Sequence, residues 1–115
     1  MTIPAQVPQV DADEGARLVR DGAFLLDVRE PDEWTAGHAP AASHIPLAEL
    51  PGRAAELPGG VTVVAVCRVG GRSQRAAEYL RAQGVEAVNL AGGMRAWEAA
   101  GLDVVSDEGD PGSVI

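Results

Sequence analysis

The segment VTVVAVC, residues 61–67, constrains the fold of this chain more than any other stretch. Side chains alternate between the two faces of a β-strand. Here both faces are apolar, because Thr62 is the one polar residue before the cysteine. A strand that is apolar on both faces belongs inside a parallel sheet covered by helices on both sides. The segment therefore predicts an α/β fold, and it ends on Cys67, the single cysteine of the chain.

The rest of the sequence alternates between strand patterns and helix patterns. Further strands are predicted at AFLLDV (23–28), SHIP (43–46), VEAVNL (85–90) and DVV (103–105). Helices are predicted from Asp11 to Gly22, from Pro31 through Glu33 and Trp34, between Pro51 and Leu57, from Ser73 to Gln83, and within GGMRAWEAAG (92–101). This alternation predicts a mainly parallel sheet of about five strands, flanked by helices on both faces.

A chain of 115 residues is long enough for one domain with its own core. Residues 1–105 are predicted to form this domain, and the acidic SDEGDPGSVI (106–115) is predicted to be a flexible tail. The N-terminal sequence lacks the basic flank and apolar core of a signal peptide. No apolar run approaches the roughly 18 residues of a membrane span. A cytoplasmic location is therefore expected.

Charge is distributed unevenly along the chain. The net charge of −8 argues against nucleic acid or an anionic membrane as a partner, since both attract basic surfaces. Residues 67–81 nevertheless hold four arginines and only one acidic residue: Arg68, Arg72, Arg75, Arg81 and Glu78. This basic segment fits either a helix face that balances acidic surface elsewhere or a site for a small anion.

The context of Cys67 favours a reactive thiol over an inert core residue. The order strand, cysteine, Gly70–Gly71 turn and helix places the sulfur at a helix N-terminus, where inward backbone N–H groups stabilise an anion. In such settings a cysteine pKa falls from about 8.5 into the range of about 3.5 to 7.5. The same donors would stabilise a persulfide. Arg68 and Arg72 would add positive charge for an anionic substrate or leaving group.

Four blocks of the sequence resemble, in order and spacing, the rhodanese family of sulfurtransferases. They are DVREPDEW (27–34), GHAPAASHIP (37–46), CRVGGRS (67–73) and NLAGGMRAW (89–97). The resemblance covers about residues 5–105 and implies a single rhodanese domain of the thiosulfate sulfurtransferase type. It also implies that Cys67 is the catalytic, persulfide-forming nucleophile. The implied active-site loop consists of Arg68, Val69, Gly70, Gly71, Arg72 and Ser73. One departure is Ala41, which stands where the family usually has glycine.

The expected reaction is a double displacement that needs no cofactor. Cys67 takes a sulfane sulfur from thiosulfate or another persulfide donor and passes it to a thiol or cyanide. Because the chain has no second cysteine, the acceptor must be external, such as glutathione, thioredoxin or a sulfur-carrier protein. The lack of lysine beside abundant alanine, glycine, valine and arginine suggests a GC-rich bacterial genome.

Two other functions compete with this interpretation. Protein-tyrosine phosphatases and arsenate reductases also use a thiolate in a loop, but with five residues between cysteine and arginine. Four residues separate Cys67 from Arg72 here, and Ser73 stands at the position where those enzymes need arginine. The second alternative is a non-catalytic rhodanese module that serves as a sulfur carrier or protein-interaction domain.

Several residues outside the loop are expected to support it. Asp27, Arg29 and Glu33 are predicted to form an internal ion-pair cluster. His38 is predicted to brace its loop by hydrogen bonding, although the sequence leaves open its approach to Cys67. No metal is expected, because His38 and His44 have no further ligand at a suitable spacing. The two tryptophans, Trp34 and Trp97, are predicted to be core residues.

Overall fold

The computed structural model describes residues 6–115, which contain one parallel sheet of five strands. The strands are β1 (Gln9–Val10), β2 (Phe24–Asp27), β3 (Ser43–His44), β4 (Val63–Val66) and β5 (Ala87–Leu90). Their order across the sheet is β1-β5-β4-β2-β3, and each neighbouring pair is parallel. The predicted α/β fold with a five-stranded parallel sheet is confirmed.

Helices cover both faces of this sheet. They are α1 (Ala12–Arg20), α2 (Pro31–Ala36), α3 (Leu50–Arg53), α4 (Gly71–Ala82) and α5 (Gly93–Ala99). The central strand β4 is buried along its whole length. Its residues Val63 and Ala65 join one hydrophobic core with α4, whereas Val64 and Val66 join another with α1 and α5. The prediction that this strand is buried on both faces is therefore confirmed.

Two helical segments differ from their predicted bounds. Residues 47–56 form a 3₁₀ turn, the single turn α3 and a second 3₁₀ turn, because Pro51 and Gly52 are poor residues for a continuous helix. Helix α4 begins at Gly71 instead of Ser73. Its N-cap, Gly70, has a φ of 114°, so the chain enters the helix directly from the turn.

The fifth strand is not the predicted one. The segment DVV (103–105) forms no strand of the sheet; Val105 makes only isolated antiparallel bridges to His38 and Pro111. The edge position is taken by β1, which pairs with β5 through Gln9 opposite Asn89. Strand β1 is only two residues long, so it is too short to show the alternation by which strands are recognised in a sequence.

Residues 106–115 lie along the domain, and the flexibility expected of this tail stays a prediction. The N–H of Ser113 donates to the carbonyl of Ala36 at 2.9 Å, and the N–H of Gly112 donates to Val104 at 2.9 Å. Val114 packs against the core beside α5. Backbone hydrogen bonding and this apolar contact offset the cost of ordering the segment.

The predicted domain start at residue 1 and the expectation about a signal peptide both concern residues 1–5, which lie outside the described residues. Among the helices of residues 6–115, none has both the length and the apolar character to cross a membrane.

A buried ion pair fixes the end of β2. The Nη2 of Arg29 lies 2.8 Å from Oδ2 of Asp27, and neither side chain is exposed. The same nitrogen donates to the carbonyl of Gly37 at 2.7 Å. The pair therefore ties the carboxyl end of β2 to the loop that follows α2.

Replacing Asp27 by alanine is expected to lower the free energy of unfolding by about 3–5 kcal/mol, because it removes the carboxylate that neutralises the buried Arg29 charge. Urea unfolding measures this loss. The matched control is Glu56→Ala, which breaks the exposed pair with Arg53 and should change stability little. Similar small losses in the two variants would contradict a structural role for the buried pair.

Candidate active site

Cys67 follows directly after β4, at the edge of the sheet where open parallel sheets bind ligands. The cysteine is only 1% exposed. The N–H of Gly70 donates to its Sγ at 3.0 Å, and the Oγ of Ser73 lies 3.2 Å from the same sulfur. The predicted arrangement of strand, cysteine, glycine turn and helix is therefore present, with the sulfur inside the curve of the loop.

The loop favours the anionic form of the sulfur. Burial raises the pKa of Cys67, but hydrogen bonds outweigh that effect and hold the pKa below its ordinary value. The donors are the hydroxyl of Ser73 and the backbone N–H groups of Ser73, Gly70 and Val69. Because these groups donate hydrogen bonds to the sulfur, they stabilise a negatively charged thiolate or persulfide.

The N-terminus of α5 holds the loop in this orientation. The N–H of Met94 donates to the carbonyl of Cys67 at 2.7 Å, and the N–H of Arg95 donates to Arg68 at 3.1 Å. These bonds occupy loop carbonyls, while the N–H of Gly70 is directed at the sulfur. Gly93 permits the close approach: its φ is 60°, and a Cβ there would lie 2.4 Å from the carbonyl oxygen of Cys67.

Gly93 and its neighbour Gly92 were not singled out from the sequence as site residues. The available signal was the pair of adjacent glycines in NLAGGMRAW at the start of a predicted helix. In the structure both have positive φ, so this turn brings α5 against the loop.

Arg72 is not a free cation in the structure. Its two Nη atoms bind the two carboxylate oxygens of Glu33 at 2.6 and 2.9 Å. Glu33 therefore joins α2 to α4. The hydrogen bond from Arg72 lowers the pKa of Glu33 to about 2, against the opposing effect of burial. Glu33 makes no direct ion pair with Arg29 among the contacts of residues 6–115, but the charge of Arg29 also lowers the pKa of Glu33, so the predicted cluster with Asp27 and Arg29 stays a prediction.

The other loop arginine has a different partner. The Nε of Arg68 donates to the carbonyl of Ile115 at 2.9 Å, so residues 106–115 reach the loop. At the loop tip, Val69 is 59% exposed. The loop therefore presents an exposed apolar residue beside a buried sulfur.

The two histidines brace the chain around Trp34. The Nδ1 of His38 lies 2.8 Å from the carbonyl of Trp34, and its ring stacks on the indole with centroids 3.6 Å apart. His44 also stacks on Trp34 and bonds the carbonyl of Arg29 at 2.7 Å. Among residues 6–115, His38 makes no hydrogen bond to Cys67. These contacts are the ones that a bracing role requires. Trp34 is only partly buried and belongs to neither hydrophobic core, so the prediction that it is a core residue is wrong.

Trp97 lies in the core beside α1 and is 6% exposed, as predicted. Its indole N–H donates to the carbonyl of Asp103 at 2.9 Å. Within the part of the chain that the structure describes, no three histidine, cysteine or acidic side chains are grouped to hold a metal ion.

A chain of polar side chains begins with two buried residues beside the sulfur, Ser73 and Asn89, and ends at the exposed Gln9. The Oγ of Ser73 is 2.6 Å from Oδ1 of Asn89, whose Nδ2 donates to Oε1 of Gln9 at 2.8 Å and to the carbonyl of Gly70 at 3.2 Å. Asn89 and Gln9 were not identified from the sequence. The one signal was Asn89 itself, a neutral polar residue in the otherwise apolar end of VEAVNL.

Comparisons with known proteins agree with this geometry. A family model described as Rhodanese-like domain matches residues 11–100, which include the whole Cys67 loop. A protein of Allochromatium vinosum named Sulfurtransferase is 38% identical over 106 residues, which are 90% of this chain and 99% of that protein.

Two solved structures show the same fold. A rhodanese-related protein from Thermoplasma volcanium superposes with a TM-score of 0.80 at 30% identity, covering 85% of this chain and 97% of that one. A thiosulfate sulfurtransferase from Pseudomonas aeruginosa superposes with a TM-score of 0.79 at 27% identity, covering 95% of this chain and 22% of that one.

Replacing Gly93 by alanine is expected to push the loop away from α5, because the added Cβ would overlap the carbonyl of Cys67. The variant should lose stability and should slow alkylation of Cys67 by iodoacetamide at neutral pH. The matched control is Gly101→Ala, which has a similar φ of 79° but no atom within 4 Å of the added Cβ. If both substitutions lowered stability and alkylation equally, the loss would come from the positive φ of each glycine. That result would contradict a role for the close contact between Gly93 and Cys67.

The Glu33–Arg72 pair should make stability depend on pH in the acid range. The folded pKa of about 2 lies below the ordinary 4.5, so the contribution is fully present above pH 4.5 and is lost as pH falls toward 2. Urea unfolding of the natural chain and of Glu33→Gln should therefore differ most near neutral pH and converge on acidification. A difference that stays constant with pH would contradict the ion pair.

Proposed function

The chain belongs to the rhodanese-like domain family, and on that premise we propose that it is a sulfurtransferase in which Cys67 carries sulfur as a persulfide. The observation that carries the proposal is the placement of Cys67 at the end of β4, where Gly70 and Ser73 hold hydrogen-bond donors against its sulfur. A buried sulfur surrounded by donors suits a group that is anionic both before and after it receives sulfur.

In the first step the Cys67 thiolate attacks the outer sulfur of a donor such as thiosulfate. A new S–S bond forms between Cys67 and that sulfur, and the original S–S bond of thiosulfate breaks. Its electron pair leaves with sulfite, and the terminal sulfur of the new persulfide carries the negative charge. The N–H of Gly70 and the hydroxyl of Ser73 are placed to stabilise the negative charge on Sγ of Cys67 before the attack.

In the second step an external thiolate or cyanide attacks the terminal sulfur of the persulfide. The S–S bond to Cys67 breaks, its electron pair returns to Cys67 as thiolate, and the sulfur leaves on the acceptor. The acceptor must be external because the chain has no second cysteine. Glutathione, thioredoxin and a sulfur-carrier protein all supply the required nucleophile, and a cytoplasmic location would suit each of them.

The burial of Cys67 limits how donor and acceptor approach. With the cysteine 1% exposed, a small anion or a single extended sulfur atom fits better than a bulky group. The exposed Val69 offers an apolar contact for an acceptor protein beside the loop. Delivery of sulfur to a dedicated partner is therefore a second form of the same function.

Phosphoryl transfer is less well supported. A phosphatase needs its loop arginine to hold the phosphate, whereas both Nη atoms of Arg72 bind Glu33. Phosphatases of this type carry arginine after five residues that follow the cysteine. In this chain that position is Ser73, which is uncharged. The loop therefore lacks a free guanidinium at the place where phosphate would bind.

Incubation with thiosulfate is expected to add the mass of one sulfur atom to the protein at Cys67, because the thiolate displaces sulfite. Intact-protein mass spectrometry followed by peptide mapping measures this, and dithiothreitol should remove the added mass. Cys67→Ser is the matched control and should stay unmodified while remaining folded. An unchanged mass with thiosulfate and with glutathione persulfide would overturn the proposed function.

A parallel assay with a phosphate ester separates the rival chemistry. The proposal expects no release of phosphate that depends on Cys67. Turnover of the ester that is lost in Cys67→Ser, together with no sulfur loading, would assign phosphoryl transfer instead.

A further inference from the structure

The hydroxyl of Ser73 lies between two acceptors. Its Oγ is 3.2 Å from Sγ of Cys67 and 2.6 Å from Oδ1 of Asn89. A serine hydroxyl carries one proton and donates one hydrogen bond at a time, while its oxygen can accept others. Ser73 is fully buried, so bulk solvent does not supply an alternative partner. The two acceptors therefore compete for one proton.

The hydrogen bonds beyond Asn89 fix which of its atoms faces Ser73. Its Nδ2 donates to Oε1 of Gln9 and to the carbonyl of Gly70, so Oδ1 points to the serine. Gln9 in turn donates from Nε2 to Oε1 of Gln74 at 2.6 Å. The amide N–H groups of Asn89 and Gln9 therefore donate to groups other than Ser73. The acceptor that faces Ser73 is held in place by the two hydrogen bonds that Nδ2 of Asn89 donates.

We propose that Asn89 is a positioning residue that competes with Cys67 for the hydroxyl proton of Ser73 and so sets the balance between the thiol and the anionic sulfur. When Cys67 is a thiol, its S–H donates to Oγ of Ser73, and Ser73 donates to Asn89. When the thiol releases its proton to solvent, the Ser73 hydroxyl turns and donates to the sulfur. Asn89 then loses its bond from Ser73, which makes the anion harder to form than Ser73 alone would allow.

The Ser73 hydroxyl would also turn between Asn89 and the sulfur after each sulfur-transfer step. A persulfide anion has less charge on Sγ than a thiolate, so the Ser73 proton would shift part of the way back to Asn89. This role in sulfur transfer rests on the proposed function. The competition itself is a property of the thiol in the absence of any donor.

The charged groups on the surrounding elements also act on the pKa of Cys67, and they are the same in all the variants of Ser73 and Asn89. Helix α4 contributes Arg72, which Glu33 of α2 balances. Arg68 lies in the loop, and Arg95 lies at the start of α5. The pair Asp27–Arg29 lies at the end of β2. The group that reaches Ser73 from β5 is Asn89, which is neutral, and its partner Gln9 on β1 is neutral as well.

The test is the pH dependence of Cys67 alkylation by iodoacetamide, measured without a sulfur donor. Ser73→Ala removes the donor, so the pKa of Cys67 should rise by about one unit, the value of one hydrogen bond. Asn89→Leu removes the competing acceptor, so the pKa should fall by a similar amount. A residue with a merely structural role would not shift the pKa in the direction opposite to Ser73→Ala.

The double variant Ser73→Ala/Asn89→Leu shows whether Asn89 acts through Ser73. It should titrate like Ser73→Ala alone, because no shared proton remains. If Asn89→Leu fails to fold, Asn89→Ala decides the question, since it removes the same competing acceptor without adding a charge and should also lower the pKa of Cys67.

The proposal is overturned if folded Asn89→Leu leaves the pKa unchanged or raises it, or if the Asn89 effect persists without Ser73. With the second variant, an unchanged or higher pKa of Cys67 in Asn89→Ala overturns it. These pKa measurements use no sulfur donor, so their result does not depend on whether the protein transfers sulfur. Opposite pKa shifts together with no sulfur loading from any donor would support the competition and reject sulfur transfer.

Discussion

The hydrogen-bond donors around the sulfur of Cys67 are the central interaction of this structure, because a buried sulfur anion is stable only with donors close to it. The strand, the loop and the helix α5 together place these donors. Strand β4 carries Cys67 to the edge of the sheet, and the loop then turns sharply enough for the N–H of Gly70 to reach the sulfur. The turn is stable because α5 binds the carbonyls of Cys67 and Arg68 from outside. Gly93 is the residue that lets α5 come so close. The packing of α5 against the loop therefore explains both the burial of Cys67 and the position of the hydrogen-bond donors around its sulfur.

Of the two loop arginines, Arg72 is compensated by an acidic side chain and Arg68 binds a backbone carbonyl. The excess of arginine in residues 67–81 suggested a strong positive field, but Arg72 is paired with Glu33 across the loop. Stabilisation of the sulfur anion therefore comes mainly from backbone N–H groups and from Ser73. Such fixed dipoles act on one atom at short range, which suits a sulfur that gains and loses a second sulfur more than it suits a large anion.

The local pattern of the sequence was enough to predict the central strand, the glycine turn and the helix after Cys67, because each depends on adjacent residues. Contacts between distant residues were not predictable in this way. Glu33 and Arg72 are 39 positions apart, and either could have paired elsewhere on an exposed helix face. Strand β1 shows no alternation in two residues, so Gln9 could not be placed beside Asn89. The polar chain behind Ser73 therefore became visible only in the structure.

The central claim is that the fold stabilises the Cys67 anion, and titration of this single thiol tests it most directly. The absorbance of the thiolate can be followed against pH in the folded protein and again in urea. Because the protein has one cysteine, each curve reports Cys67 alone. The account predicts a midpoint in the folded protein clearly below that in urea, which should lie near the value of about 8.5 for a free cysteine. A folded midpoint at or above the unfolded one would contradict it.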